Sequence, residues 1–265
     1  MDGHRPVVLV TGASGGIGAD LARVFAREGH DLALVARSAD KLEALAGEIE
    51  AMGRTRPFVL GLDLAQPRAC EALALALDEA GLTPSTLINN AGFGLAGRAT
   101  MLERAGQIEM IDLNIRALTE LTLRFLPAVI AGRGRIMNVA SVAGFLPGPG
   151  MAVYYATKAY VISFSQALSQ ELEGAGVTVT ALCPGVTATD FHARAGLDAK
   201  LMKNMPSMSS RVVAEAGYAG LMKGRRLVVP GLLNKLMTGL LPLMPNGLLL
   251  PVMGRMQDRR KGRPE

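Results

Sequence analysis

Short runs of apolar, β-forming residues alternate along this chain with longer stretches in which apolar residues recur every three or four positions. The runs fall near residues 7–11, 31–36, 58–62, 86–90, 135–140, 177–183 and 226–229. Val7-Val8-Leu9-Val10 and Leu32-Ala33-Leu34-Val35-Ala36 are apolar at every position, so both faces of the pleat must be covered. The helical stretches fall near 16–28, 39–52, 67–80, 100–131, 152–173 and 209–223. This alternation predicts an α/β fold, a doubly wound parallel sheet of about seven strands with helices on both faces. Ligands in such sheets bind beyond the carboxyl ends of the strands. Thr11, Arg37, Asp63, Asn90, Ser141 and Pro184 all stand at predicted strand ends and are candidates for one site.

Two segments break the alternation. Residues 187–208 carry Phe191, Leu197, Leu201, Met202, Met205 and Met208 without clean periodicity. A long irregular segment in a compact domain reads as a lid, and methionine adapts to varied ligands. Residues 232–253 are rich in Leu, Met and Pro and predict short apolar helices. The apolar stretch from Leu227 to Met253 is interrupted by Pro230, Pro242, Pro245 and Pro251 and contains Lys235, which makes it a poor spanning helix. The expected organisation is a catalytic domain over 1–231, with the lid at 187–208, and an apolar segment with a basic tail over 232–265 packed on the same domain.

Two motifs carry chemistry. Strand, glycine-rich turn and helix follow one another through Val7–Val10, Thr11-Gly12-Ala13-Ser14-Gly15-Gly16-Ile17-Gly18 and Leu21, Val24, Phe25. Glycines permit a tight turn and close backbone approach, and a helix N-terminus offers N–H groups and a positive dipole end to phosphate. Tyr154 and Lys158 stand four residues apart, with Ser141 thirteen residues before Tyr154. On a helix such a pair shares a face. An ammonium about 4 Å from the phenol is worth roughly 4 kcal/mol at an effective dielectric near 20, or about three pKa units. That predicts a phenol lowered toward neutral pH.

These motifs, in this order and spacing, resemble the short-chain dehydrogenase/reductase family, and the resemblance runs from residue 6 to about 231. Thr11-Gly12-x-x-x-Gly16-x-Gly18 resembles its cofactor loop, Asp63-Leu64 its adenine contact, and Asn89-Asn90-Ala91-Gly92 the motif closing the fourth strand. Asn114, Ser141, Tyr154 and Lys158 fall on its catalytic tetrad. Pro184-Gly185, with Thr187 and Thr189 beyond, resembles the turn after the sixth strand, although the family usually has valine where this chain has Thr187. The resemblance implies hydride transfer between nicotinamide and a carbonyl or alcohol. Tyr154 would be the proton donor or acceptor, Ser141 the partner of the substrate oxygen, Lys158 the group that tunes Tyr154 and holds the nicotinamide ribose, and Asn114 a tether for a water between Lys158 and solvent. It also implies a homodimer or homotetramer through the helices near 100–131 and 152–173. A nucleotide-sensing binding protein with little turnover is the alternative from another class, which the intact tetrad disfavours. An epimerase or dehydratase of the longer branch would need a larger C-terminal domain.

The second predicted strand ends at Ala36 without the carboxylate that would bind the ribose 2′-hydroxyl of NAD, and Arg37-Ser38 follows. Arginine there suits a 2′-phosphate, and Ser14 adds a hydroxyl. The cofactor reading is NADP(H). Around the motifs stand Phe93, Phe145, Leu146, Met151 and Tyr155, with Phe191 from the lid, which predicts a mostly hydrocarbon substrate around one carbonyl. Arg98 and Arg194 are the candidate cations near such a site, on loops.

Composition narrows the field further. Hydrophobic residues make up 49% and charged residues 19%, which fits a buried parallel sheet. The net charge is +5, with Arg255, Arg259, Arg260, Lys261 and Arg263 clustered at the end. With 4% aromatics and no tryptophan, a nucleic-acid role is excluded. The cluster reads as a solvated tail in preference to a membrane-surface segment. Cys70 and Cys183 read as reduced core residues. The chain enters its first strand without an apolar leader, so a cytoplasmic location is expected. His4, His30 and His192 lack metal-ligand spacing, and no metal is expected.

Overall fold

The structure, a computed structural model, describes residues 3–189, 191–197 and 207–260. Leu201, Met202, Met205, Lys261 and Arg263 lie outside the described residues. Strands β1 (Arg5–Thr11), β2 (Leu32–Ala36), β3 (Phe58–Gly61), β4 (Leu82–Asn89), β5 (Arg135–Val139) and β6 (Thr178–Leu182) alternate with helices. These are α1 (Gly16–Arg27), α2 (Ala39–Ala51), α3 (Ala69–Glu79), α4 (Arg104–Ile111), α5 (Leu118–Ala131) and α6 (Ala152–Glu171). Beyond them come the short pair β7 (Thr187–Ala188) and β8 (Met208–Ser209), the four-residue α7 (Phe191–Arg194), α8 (Ser210–Met222), β9 (Leu227–Val228), α9 (Leu232–Leu240) and α10 (Asn246–Arg260).

The sheet is parallel, in the order β3-β2-β1-β4-β5-β6-β9. The order reverses on the two sides of β1, which opens a crevice between the ends of β1 and β4. Strand residues divide by parity, as a two-residue repeat requires. Val8, Val10, Leu32 and Leu34 join Leu21, Phe25, Leu42 and Val213 on the face covered by α1, α2 and α8. Val7, Leu9, Ala33 and Val35 join Leu73, Leu77, Leu121 and Phe125 on the opposite face. Cys70 and Cys183 are buried and free, and burial pushes their thiols up to about 11 and about 12.

Two elements differ from expectation. The helix predicted over 100–131 is divided by a π-turn, Asp112–Ala117, between α4 and α5. Such an extra residue in a helix re-aims side chains locally, and Asn114 lies within it. The irregular 187–208 segment is closed at its base, where β7 pairs with β8 in the register Thr187↔Met208 and Ala188↔Ser209. The Ala96 amide also donates to the Ala195 carbonyl at 2.8 Å, tying this segment to the loop after β4. No helix among the described residues is long and apolar enough to cross a membrane.

Candidate active site

The site begins at the end of β1. Gly12 adopts φ +66°, and a Cβ there would stand 2.8 Å from the Ala91 Cα. A Cβ on Gly18 would stand 2.3 Å from the Gly12 carbonyl oxygen. These two glycines let the turn fold onto the end of β4, and only hydrogen fits. Thr11 and Asn90 then bolt the strand ends together. The Thr11 hydroxyl accepts from the amides of Asn90 and Ala91 at 3.0 and 3.1 Å, and Asn90 Nδ2 donates to the carbonyls of Thr11 and Gly12 at 3.0 and 3.1 Å. Gly15, at the N-cap of α1, makes no side-chain cap, so the first-turn N–H groups keep no capping partner from the side chain there. A Cβ on Gly15 would meet nothing within 4 Å. An open, uncapped helix N-terminus of this kind fits a pyrophosphate.

From this turn a cavity of about 520 Å³ runs along the strand ends. Ser14, Gly15, Gly16, Ile17, Arg37, Ser38, Asp63, Leu64, Asn90, Ala91 and Gly92 line one end. Ser141, Tyr154, Lys158, Pro184, Gly185, Thr187 and Thr189 line the other. Asp63 is held by the Ala65 amide at 3.1 Å. Arg37 is 57% exposed and lies 3.7 Å from Glu109, an exposed ion pair too weak to withhold it from a ligand.

Tyr154 and Lys158 project from one face of α6, and both are buried. The Ser141 hydroxyl accepts from the Ala143 amide at 3.1 Å, and Ser141 lines the same end of the cavity as Tyr154. The Lys158 ammonium donates to the Val139 carbonyl at 2.8 Å and lies 5.9 Å from the centre of the Tyr154 ring. Burial sets the protonation of both. It pushes the phenol up to about 12, against a smaller lowering by Ser141. It pushes the Lys158 ammonium down to about 8. The expected depression of the phenol by Lys158 is therefore overturned: desolvation disfavours the phenolate more than the lysine, turned toward Val139, favours it.

Asn114 stands behind the cavity wall rather than in it. Its Oδ1 accepts from the Phe93 amide at 3.1 Å, while Nδ2 donates to the Phe93 carbonyl at 2.9 Å and to the Thr157 hydroxyl at 3.1 Å. Thr157 in turn donates to the Tyr154 carbonyl at 2.8 Å. Asn114 thus fixes the loop after β4 against α6, and the π-turn is what aims it there.

Residues 6–200 match the family described as short chain dehydrogenase. The chain belongs to this family. It is 40% identical over 187 residues, 69% of this chain and 73% of that protein, to a sulfoacetaldehyde reductase of Chromohalobacter salexigens. A short-chain dehydrogenase from Sphingobium yanoikuyae, solved in complex with NADPH, shares 36% identity and a TM-score of 0.79, covering 91% of this chain and 97% of that one. A bulky-bulky ketone specific alcohol dehydrogenase from Comamonas testosteroni shares 30% identity and a TM-score of 0.75, covering 91% and 96%. Membership makes this chain an oxidoreductase that uses a nicotinamide cofactor.

Within this short-chain dehydrogenase, the expected apolar wall is present with one correction. Phe93, Leu146, Met151, Tyr155 and Phe191 line the cavity, and Phe191 packs on Tyr154 at 5.3 Å between ring centres. Phe145 does not line it. It lies on a 3₁₀ turn, Val142–Phe145, where residues three apart share a side. Phe145 joins Val142 in the cluster around Val161 and Ile162, while Ala143 and Leu146 face Tyr154 and Tyr155. Of the two loop cations, Arg194 reaches the cavity and Arg98 is not among its lining residues. Met237, Leu241, Met244, Leu249, Val252 and Met253 complete the apolar wall. These residues of the C-terminal segment were not expected in the site. That segment predicts short apolar helices without indicating which side turns toward the site.

Proposed function

We propose that this protein is an NADP(H)-dependent carbonyl reductase or alcohol dehydrogenase for substrates with a bulky apolar body. One observation carries the reading: Ser141, Tyr154 and Lys158 together line an apolar-walled cavity that runs on to the glycine turn. The bound nicotinamide supplies the hydride. Ser141 holds the carbonyl oxygen, and Tyr154 donates its proton to that oxygen as negative charge builds. A phenol near 12 keeps its proton throughout the neutral range, so Tyr154 is poised as the acid of the reductive direction. The ammonium of Lys158 then stabilises the phenolate left behind. Asn114 acts as a positioning residue, through Phe93 and Thr157.

The preference for the phosphorylated cofactor rests on Ala36, which ends β2 without a carboxylate, and on Arg37 and Ser38 at the cavity edge. Arg37→Ala is expected to weaken NADPH and leave NADH binding unchanged. A charge-assisted contact is worth about 1.5–3 kcal/mol. Arg37 is more than half exposed, so the lower end applies, a loss of roughly tenfold in Kd. Titrations of both cofactors against the wild type and the variant check this. Equal affinities for NADH and NADPH in the wild type would sink the assignment.

Ten or so apolar walls around one polar centre favour a hydrocarbon body on the substrate. A series of 2-alkanones is expected to show kcat/KM rising roughly fourfold per added methylene until the pocket is full, from about 0.8 kcal/mol each. A second reading, a small anionic carbonyl compound, rests on Arg194 at the cavity wall and on the sulfoacetaldehyde reductase among the relatives. A flat alkanone series with strong turnover of sulfoacetaldehyde would select that reading instead.

A further inference from the structure

The outer side of α9 is a row of leucines. Leu232, Leu233, Leu236 and Leu240 form one stripe and are 75, 62, 52 and 62% exposed. The side turned toward the protein carries Asn234 and Thr238. Asn234 Nδ2 donates to the Pro230 carbonyl at 2.7 Å, and Thr238 donates to the Asn234 carbonyl at 2.9 Å. Asn234 also packs so closely on Gly185 that a Cβ there would lie 2.5 Å from it. Leucines left facing water on this scale gain nothing there, since a surface helix turns its apolar stripe toward the protein. Leu248 of α10 is likewise 63% exposed.

From Leu232 to Gln257 every charged residue is basic. Six basic and two acidic residues lie from 232 onward, so this segment holds four of the five net positive charges of the chain. Lys235 and Arg255 are exposed on the same two helices.

We propose that α9 and α10 dock this enzyme onto an anionic lipid surface, with the leucine stripe at the acyl boundary and the basic residues among the headgroups. Exposed leucines beside lysine and arginine, without carboxylates, are what an interfacial helix requires. A second copy of this chain suits the face poorly. A two-fold interface apposes the same patch to itself, and two segments of net charge +4 would meet. Met237 of α9 and Leu249 and Met253 of α10 also line the cavity wall. Docking would therefore set the mouth of the pocket against the lipid. The docking itself does not depend on the reaction proposed above, and its failure would leave that reading standing.

Flotation of the full-length protein with vesicles tests this. The protein is expected to rise with phosphatidylcholine vesicles containing phosphatidylglycerol, to rise far less with phosphatidylcholine alone, and to be released as salt increases. Leu232→Ser/Leu236→Ser/Leu240→Ser should abolish flotation without lowering the melting temperature, since all three side chains are exposed. Lys235→Glu/Arg255→Glu should reduce it on the anionic vesicles. Wild-type protein that stays at the bottom of the gradient with anionic vesicles would overturn the proposal. So would a light-scattering mass in vesicle-free solution that the triple serine variant halves, which would make the face an interface between copies.

Discussion

Tyr154→Phe is expected to lower kcat for ketone reduction by about 10²–10⁴-fold, the usual worth of a positioned proton donor. The variant removes one oxygen from a side chain held by packing on Tyr155 and Phe191, at 6.2 and 5.3 Å between ring centres. The fold and the glycine turn are untouched, so the affinity for NADPH should stay near that of the wild type. Tyr155→Phe is the control. Tyr155 lines the same cavity, but Tyr154 is the phenol with a lysine four residues on, on the same helix face. The control should keep kcat and change KM at most. Loss of turnover in Tyr155→Phe, with near-normal turnover in Tyr154→Phe, would transfer the donor role to the wrong phenol and end this assignment.

Lys158→Met is expected to remove turnover and yet raise stability. Burial pushes the ammonium from its ordinary 10.5 down to about 8. At neutral pH the lysine is charged in both the folded and unfolded chain, so the folded state bears the full cost of burying that charge. The shift corresponds to about 3 kcal/mol, of which losing the hydrogen bond to Val139 takes back about 1. A net gain of about 2 kcal/mol should raise Tm by roughly 4–8 °C. The sign of the pH dependence follows from the same values. Between pH 8 and 10.5 the unfolded chain holds the proton and the folded chain does not, so wild-type stability rises with pH across this window and the gap to the variant closes. Activity moves the other way: kcat/KM for reduction should fall above pH 8 as Lys158 loses the charge that supports the phenolate. A variant less stable than wild type at pH 7, with a gap independent of pH, would show that Lys158 is not buried as a charge. The site would then be built at the expense of stability, a common trade in enzymes.

Much of this was legible in the sequence, for identifiable reasons. The continuous apolar runs of β1 and β2 can only be strands covered on both faces, and their parity alone divides the core into two layers. The glycine turn and the Tyr154–Lys158 spacing carry their geometry locally, and Gly12, Gly16, Ser141, Tyr154 and Lys158 line one cavity, while Thr11, Gly18 and Asn114 stand outside its lining. Other features depend on tertiary contacts that no local pattern encodes. Phe145 and Leu146 are adjacent apolar residues, and only the 3₁₀ turn separates them onto different sides. The π-turn that aims Asn114 has no sequence signal of its own. The protonation of Tyr154 follows from burial, and spacing to a lysine says nothing about how much water remains. The C-terminal helices contribute to the cavity through Met237 and Leu249 while exposing their leucines. That exposure is visible only in the packed structure.

Transfer of label from the cofactor tests the central claim most directly. NADPH carrying deuterium at the transferable position of its nicotinamide should be oxidised in the presence of a bulky aryl alkyl ketone. The alcohol product should contain one deuterium on its carbinol carbon by mass spectrometry, at a rate well above that with labelled NADH and lost in Tyr154→Phe. Binding of NADPH without any deuterated alcohol, across a panel of apolar ketones and sulfoacetaldehyde, would contradict the account. The chain would then be a nucleotide-binding protein that retains the residues of this chemistry without performing it.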